Sequence, residues 1–425
     1  MQANEHYLFR HAIMRDAAYL LHPVTLRGTL HRIALELLES HFDTVLPEAG
    51  PNLATKPLPM DAVAAELARH ARFAQDEPYA NFELLRRREA QFLIRAGSHA
   101  EANYDHHESI AFWRRLSEIA AGKQKFWALH RVSQACRALG RADEAQRVAE
   151  AARQLATEEC GIEETVVSLG QLGLIHWGRG DHKRARSLLE QAAEFFGQGT
   201  SKRIEANTIG MLGMVHEQSG MIDEARELYE RAIELLREAG DRENEGVFLQ
   251  NLGGLEIEFG DAAKGERLLH QAIAVYQDVD DYTNHGIALN NLALRESSRG
   301  EYQRAVEIAD QAMRMHRKAG NRRSLGLAFA NRSNARRKAG DLEGAVADLQ
   351  EALAIHREVG NSVSEGKALC DMMLVELVRG NVDSAHRYWM QGIGLLRRVL
   401  GPGGGDSEVT EMREACAQAG FAPFE

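Results

Sequence analysis

The stretch EGVFLQNLGGLEIEFGDAAKGERLLHQAIAVYQDVDD, residues 245–281, contains the pattern that decides the fold. Apolar residues fall at helical spacing in both halves of the stretch, rather than at every second position. Those residues are Val247, Leu249, Leu252, Leu255, Ile257 and Phe259, then Leu268, Leu269, Ala272, Ile273, Val275 and Tyr276. Gly260 and Asp261 separate the halves, and a glycine can adopt the left-handed backbone that ends a helix. The stretch therefore predicts a helix, a short turn and a second helix.

The same pattern returns every 40 residues from about Glu163 to Gly404, which makes six consecutive segments. Glycines mark the middle of each segment, at Gly180, Gly220, Gly260, Gly300, Gly340 and Gly380. Small residues recur in the second half of each segment, as at Ala225 and Ala232. A fixed period of this size indicates stacked helical hairpins, each of which covers its apolar stripe against its neighbours.

A small residue follows a leucine in the first helix of most segments, at Gly173, Gly213, Gly253 and Ala293. We expect these positions to let the second helix approach closely. Large side chains there would overpack the joint, at a cost of about 1–3 kcal/mol each.

This pattern resembles the tetratricopeptide repeat (TPR), whose small residues are matched by Gly253, Gly260, Gly265 and Ala272. The usual period of that family is about 34 residues, and the longer period here is similar to that of kinesin light chain and of bacterial signalling ATPases. The resemblance implies an all-α fold, an α-solenoid in which helix hairpins form a right-handed superhelix. The aromatic residue that the family carries late in the first helix is replaced here by His176, His216, Glu256, Glu296, Arg336 and Glu376.

Two N-terminal segments, residues 7–22 and 24–41, read as amphipathic helices separated by Pro23. They resemble the end of the winged-helix region that follows the nucleotide-binding core of bacterial signal-transducing ATPases. The matching residues are Phe9, Arg10, His11, Ala12, Arg15, Asp16, Ala17, Ala18, Tyr19, Leu30, His31, Ile33, Ala34, Leu38 and Glu39. The resemblance implies that an ATPase core lies upstream of this region in such regulators. We expect this chain to lack that core.

We therefore expect four regions along the chain. Residues 1–50 are the helical remnant that resembles the winged-helix end, and residues 61–162 are irregular TPR-like pairs, whose joints Trp113 and Trp127 fill. Residues 163–402 are six regular TPR units. Residues 403–425 are a linker followed by either a short capping helix or a tail.

Composition narrows the class of protein. The net charge of −11 over 425 residues disfavours non-specific binding to nucleic acid. The four cysteines, Cys136, Cys160, Cys370 and Cys416, show no CxxC spacing, and we interpret them as reduced thiols. No apolar run approaches 18 residues. We expect a cytoplasmic protein that does not insert into a membrane.

No pattern in the sequence predicts an active site. The string from Gly360 to Lys367 has one residue too many for a phosphate-binding loop and no Ser or Thr after the lysine. His106 and His107 are adjacent on a predicted helix, so they point about 100° apart and do not share a metal ion easily. We expect no catalytic residue, no metal and no cofactor, and we rank an enzyme last.

A basic band interrupts the acidic chain between residues 311 and 340, which contain no Asp or Glu. Its cations are Arg314, Arg317, Lys318, Arg322, Arg323, Arg332, Arg336, Arg337 and Lys338. One interpretation is a solvated outer face that acids of neighbouring units, such as Glu296, Asp310 and Glu343, partly neutralise. The other is a docking patch for an acidic or phosphorylated partner. Nucleic acid is disfavoured because aromatic residues are not interleaved with the cations.

The family resemblance places the first helix of each unit along a concave groove. It maps partner-binding positions onto Asn207, Glu217, Gln218, Gln250, Asn290, Asn334, Arg337 and Lys338. Asn251, Asn291 and Asn331, one residue further along, also recur at 40, and we expect them to tie one unit to the next. The first functional hypothesis is a non-catalytic scaffold or sensor in bacterial signal transduction that binds a protein or peptide. The alternative is a regulatory fragment of a nucleotide-dependent switch that controls transcription, a cyclase or a kinase through a separate ATPase.

Overall fold

The computed structural model describes residues 22–42, 46–47, 49–50, 52–53, 55–401 and 403–424. These residues form nineteen α-helices and no β-strand. They divide into two compact units, one that ends at residue 211 and one that begins at residue 212, with the boundary inside one helix. Residues 7–21 of the first predicted helix, and with them the resemblance carried by Phe9 to Tyr19, lie outside the described residues.

The described residues of the first unit form eight helices and the start of a ninth. Their bounds are α1 Val24–Phe42, α2 Ala64–Ala74, α3 Phe82–Ala102, α4 His106–Ile119, α5 Gly122–Ala138, α6 Ala142–Leu155, α7 Ile162–Gly178, α8 His182–Ala193 and α9 Lys202–Gln218. A 3-10 turn, Pro59–Val63, precedes α2, and a π turn, Ala156–Cys160, follows α6. Trp113 is fully buried in the core of this unit, and its indole lies against Gly97. Trp127 is half-buried beside the same core.

In the second unit, the residues that the structure describes form the end of α9 and ten further helices. Their bounds are α10 Ile222–Ala239, α11 Arg242–Phe259, α12 Ala262–Asp278, α13 Tyr282–Ser298, α14 Tyr302–Ala319, α15 Arg322–Ala339, α16 Leu342–Glu358, α17 Ser362–Val378, α18 Val382–Leu400 and α19 Asp406–Ala419. Among the described helices of this unit, each packs on helices one or two places away along the chain. That arrangement is a stack of hairpins, and it confirms the predicted all-α class. None of the described helices is both long and apolar enough to cross a membrane.

Capping residues at fixed intervals begin and end the helices. Asp241, Asp281 and Asn321 each accept a hydrogen bond from the backbone amide three residues ahead, and a cap of this kind stabilises a helix by about 1 kcal/mol. Glycines with positive φ follow most helices, as predicted, but Gly260 has a φ of −138°. There the Glu256 carboxylate folds back over the turn and accepts a hydrogen bond from the amide of Asp261 at 3.3 Å.

The small residues allow the close helix contacts that the sequence predicts. A Cβ on Gly253 would stand 3.1 Å from the carbonyl oxygen of Gly265 in the facing helix. A Cβ on Gly213 would stand 2.9 Å from the ring of Tyr229. The two helices of a hairpin therefore meet at these positions with no room for a larger side chain.

The slot that an aromatic residue fills in the family holds an ion-paired Glu or Arg in four of the six segments. Glu256 is 3% exposed, and its carboxylate accepts hydrogen bonds from Lys264 at 2.8 Å and from Arg226 at 3.0 Å. In the unit that contains Arg336 the charges are reversed, and its guanidinium donates to Asp348 at 3.0 Å. Pairing removes much of the cost of burying a charge at these positions.

Candidate functional site

The first helices of the hairpins in the second unit lie side by side and share one stripe whose residues are exposed or half-buried, except for the buried Leu374. Helix α11 contacts α13, α13 contacts α15, and α15 contacts α17. The stripe follows a helical spacing of four, three and four residues, which keeps its members on one face of each helix. We call this stripe the A face. Its members are Val247, Asn251, Gly254 and Glu258 on α11, Ile287, Asn291, Leu294 and Ser298 on α13, Leu327, Asn331, Asn334 and Lys338 on α15, and Lys367, Asp371, Leu374 and Val378 on α17.

Three asparagines, Asn251, Asn291 and Asn331, occupy the same A-face position in consecutive first helices. Asn291 is exposed and the other two are half-buried. Within the part of the chain that the structure describes, none of the three side chains makes a hydrogen bond. The structure therefore does not support the expectation that they tie one unit to the next. Their amides remain open as both donors and acceptors.

Exposed leucines flank these asparagines. Leu294 is 44% exposed and lies one turn after Asn291, and Leu327 is 41% exposed and lies one turn before Asn331. The A face thus presents amide groups beside apolar surface. This combination suits a peptide segment that makes alternating polar and apolar contacts.

Three of the residues that the sequence predicted as partner-binding come together on α15. Asn334 and Lys338 belong to the A face, and Arg337 donates a hydrogen bond to Oδ1 of Asn334 at 3.0 Å. The side chain of Arg337 is 18% exposed. Lys338 is exposed and has no acid partner among the described residues.

Three other predicted residues face the inside of their hairpins. Asn290 is 7% exposed, and its amide nitrogen lies 3.2 Å from Nε2 of His316. Gln250 is half-buried and lies 3.5 Å from the hydroxyl of Tyr276. Glu217 accepts a hydrogen bond from Tyr229 at 2.6 Å, and burial raises the pKa of its carboxyl despite that bond.

The remaining two predicted residues lie on α9. Gln218 is exposed at the C-terminal end of this helix, in the second unit, and Asn207 is half-buried in the first unit. The A face and the predicted set therefore overlap mainly on α15. The 40-residue recurrence identified the three asparagines in the sequence. The sequence did not show which side of each first helix stays uncovered.

Ion pairs neutralise part of the basic band. Arg332 pairs with Asp310 and with Asp348, and Arg336 pairs with Asp348. Glu296 and Glu343, which were expected to contribute, pair with Arg304 and Arg379. Arg314, Arg317, Lys318, Arg323 and Lys338 have no acid partner among the described residues. Of these, Arg317 lies over the ring of Phe329 and Lys318 over the ring of Tyr282.

The described residues do not form an active site that we can recognise. No group of three His, Cys, Asp or Glu side chains among them could hold a metal ion. The string that begins at Gly360 is the turn before α17 and the first turns of that helix. Burial raises the pKa of all four cysteine thiols, that of Cys370 to about 12, so the reactive thiolate is disfavoured.

Sequence models of known families decide what kind of repeat this is. Tetratricopeptide-repeat models match residues 124–198 and 247–318, residues 206–236 and residues 328–359. The chain contains tetratricopeptide repeats. The TPR fold is generally that of a non-catalytic scaffold for protein–protein interactions. A comparison with curated protein sequences found no match.

Solved structures with TPR-like folds are similar to the chain at low sequence identity. A Rap protein complexed with Competence and Sporulation Factor gives a TM-score of 0.58 at 11% identity, covering 88% of this chain and 99% of that one. Aspartyl phosphate phosphatase F from Bacillus subtilis gives 0.53 at 13% identity, covering 82% and 97%. A signal-transduction ATPase with numerous domains and a TPR sensor, from Pyrococcus horikoshii, gives 0.55 at 15% identity, covering 80% of this chain and 54% of that protein. These likenesses support the fold.

Proposed function

We propose that the TPR units of this chain bind an extended segment of a protein or peptide along the A face of the second unit. The observation that carries this proposal is the row formed by Asn251, Asn291 and Asn331, whose amides lack hydrogen-bond partners in the described structure. An asparagine amide offers one donor group and one acceptor, which match the C=O and N–H of a peptide backbone.

The spacing of the first helices supports an extended ligand. Helices in contact lie about 8–10 Å apart, and an extended chain in the polyproline II conformation advances about 3.1 Å per residue and completes a turn in three residues. Every third ligand residue would therefore meet one asparagine. Since the contacts are to the backbone, the asparagines would contribute affinity, and side chains such as Leu294 and Leu327 would select the sequence.

Charge sets the expected chemistry of the partner. Asn334 and Lys338 belong to the half of the A face that α15 and α17 form, and Arg337 lies beside Asn334. Cations at one end of a peptide site favour a segment with acidic side chains there and increase the association rate at low salt. Asn334, Arg337 and Lys338 are therefore part of the proposed site, and Glu217, Gln250 and Asn290 support the first helices from inside the hairpins.

A displayed library of random peptides tests this proposal. Peptides selected on the wild-type chain are re-measured against Asn291→Ala/Asn331→Ala, and against Gln311→Ala, an exposed amide on the second helix α14. Each lost hydrogen bond is worth about 0.5–1.5 kcal/mol, so the loss of two should weaken binding of the double variant about 5-fold to 150-fold. The Gln311 control should bind like the wild type. Equal affinity of the double variant and the wild type for every selected peptide would refute the proposed face.

A second candidate is a sensor that acts through an ATPase. Its support is the similarity of fold to the TPR-sensor ATPase from Pyrococcus horikoshii, of which this chain covers about half, at 54%. In that setting ligand binding to the A face would reposition the ATPase. Co-purification of the full chain with a nucleotide-binding partner whose ATP hydrolysis changes on peptide addition would support it. A partner whose hydrolysis rate is unaffected by the chain would argue for the simple scaffold.

A further inference from the structure

The last helix folds back onto the first helix of the last hairpin. Gly401 and Gly405, in the turn between α18 and α19, have positive φ angles of 89° and 92°. A Cβ on Gly405 would stand 2.5 Å from Cδ1 of Ile393. These glycines allow the chain to pass closely over α18, and α19 then packs against α17.

The apolar side of α19 is buried against α17. Met412 and Cys416, one turn apart, are 1% and 0% exposed. They lie in one cluster with Cys370, Leu374 and Leu377 of α17. Since Leu374 belongs to the A face, α19 covers part of that face.

The acidic side of α19 meets the cations of two first helices. The Glu408 carboxylate lies 3.6 Å from Nζ of Lys367 on α17. The Glu411 carboxylate lies 3.9 Å from Nη2 of Arg337 on α15. Helix α19 therefore bridges consecutive first helices, and it reaches an arginine that the sequence predicted as partner-binding.

The A-face position that follows the three asparagines is half-buried and lies beside this contact. Asp371 corresponds to Asn331 one period later, and burial together with the Glu411 and Glu408 carboxylates raises its pKa to about 7, against the opposing effect of Arg337. Asn251, Asn291 and Asn331 have no such cover in the described structure. The two ends of the asparagine row thus differ: one is open, and the other is occupied by the chain itself.

The attachment of α19 is weak compared with that of a helix inside a hairpin. Its N-terminal cap is Gly405, which offers no side chain to the first amides, and a 14-residue helix is marginal when isolated. Both ion pairs involve partly exposed groups at more than 3.5 Å, and such pairs contribute little. The contact therefore depends mainly on apolar side chains: the buried Met412 and Cys416, with the partly buried Val409, Ala415 and Phe424 packed beside them.

We propose that α19 is an internal ligand of the A face, and that an acidic amphipathic helix of a partner binds the Arg337–Lys367 end of this face by displacing it. This inference rests on the proposed function, because it defines the partner chemistry at one end of the same face. The pattern that the partner must present is that of α19 itself. It has carboxylates at the positions of Glu408 and Glu411 and apolar side chains at those of Met412 and Cys416.

A labelled synthetic peptide with the sequence of residues 406–419 tests the proposal on the full chain. In Glu408→Lys/Glu411→Lys the internal helix is repelled by Lys367 and Arg337, but the added peptide keeps its carboxylates. We expect fluorescence anisotropy to show at least 10-fold tighter peptide binding to this variant than to the wild type. Adding Arg337→Glu to the same chain should remove most of that gain. Glu414→Lys, an exposed position of α19, is the control and should bind like the wild type.

Hydrogen exchange of residues 406–419 gives the second readout. The double variant should exchange at least 10-fold faster over this helix than the wild type, and Glu414→Lys should not. Unchanged exchange in the double variant, or faster exchange without tighter peptide binding, would overturn the inference. The result does not depend on the asparagines, so unchanged binding of the selected extended peptides to Asn291→Ala/Asn331→Ala would refute the proposed function without deciding this test.

Discussion

Gly286 of α13 lies directly against the imidazole of His316 in α14: a Cβ at position 286 would stand 2.5 Å from Cε1 of the ring. The same pairing recurs at intervals of 40 residues. It joins Gly246 to Tyr276, Gly326 to His356 and Gly366 to Leu396, with Cβ distances of 2.5, 2.7 and 2.8 Å. A glycine in the first helix and a large side chain in the second thus close each of these hairpins.

Replacing this glycine should overpack the hairpin. For Gly286→Ala we expect a loss of about 1–3 kcal/mol in the free energy of unfolding, because the imidazole is fully buried and must move. Gly254→Ala is the matched control. It lies within α11, where an added Cβ meets nothing within 4 Å, and it should gain about 0.5–1 kcal/mol from higher helix propensity. Urea unfolding followed by circular dichroism measures both, and equal effects would contradict this explanation.

The buried imidazole of His316 should make the second unit sensitive to acid. Burial lowers its pKa to about 4, well below the unfolded value of about 6.5. The unfolded state therefore binds more protons between these values, and stability should fall as the pH drops from about 6.5 to about 4. His356 has a pKa lowered in the same direction by burial and adds to the effect.

His316→Leu should reduce this loss, because leucine occupies the equivalent position at Leu396, also against a glycine. Unfolding free energies at pH 7.5 and pH 4.5 should differ less in the variant than in the wild type, by about 1–3 kcal/mol. His270→Leu, at an exposed position of α12, should keep the difference of the wild type. A His316→Leu chain that is as acid-labile as the wild type would show that other groups are responsible.

Glu256→Gln should destabilise the chain at neutral pH. Burial by itself would raise the pKa of Glu256, but hydrogen bonds from Lys264, from the amide of Asp261 and from Arg226 outweigh burial and lower it. Bonds to a charged group contribute about 1.5–3 kcal/mol, and we expect a loss of that size. Because the folded pKa is lowered, the contribution is present above pH 4.5 or so and is lost as the pH falls further. The exposed Glu258→Gln is the control, and thermal unfolding at pH 7 and pH 3.5 gives the comparison.

Gly405→Ala should loosen the last helix. The residue has a φ of 92°, and an added Cβ would stand 2.5 Å from Ile393, so both backbone strain and a clash oppose the substitution. Limited proteolysis should cut the variant between α18 and α19 at least several-fold faster than the wild type. Gly403→Ala, where the nearest atom outside the turn lies 3.6 Å away, should resist cleavage like the wild type.

The sequence predicts the hairpins closely, because the same local pattern of apolar, small and capping residues recurs every 40 residues. Gly253 and Gly265 meet as expected, and the helices begin at the Asp and Asn caps of each unit. The expected left-handed backbone at Gly260 was wrong. The conformation of that turn depends on Glu256, whose carboxylate is held by residues of neighbouring helices. A local pattern carries no information about such a contact.

The candidate site was predicted only in part. Asn334, Arg337 and Lys338 lie together on α15, but Asn290 faces His316 inside its hairpin. Neighbouring positions on a helix point about 100° apart, so a shift of one residue moves a side chain from the inside to the surface. That shift separates Asn290 from Asn291, and family resemblance did not resolve it.

By itself the sequence determined the all-α class, the hairpin period and the close glycine contacts, because each depends on residues that are near in the chain or repeat at a fixed interval. Only the tertiary structure decided which stripe of the first helices stays open, and that α19 covers its last part at Asp371 and reaches Arg337. Those features follow from the way in which successive hairpins pack, and packing between units depends on side-chain volumes and charges that no single repeat contains.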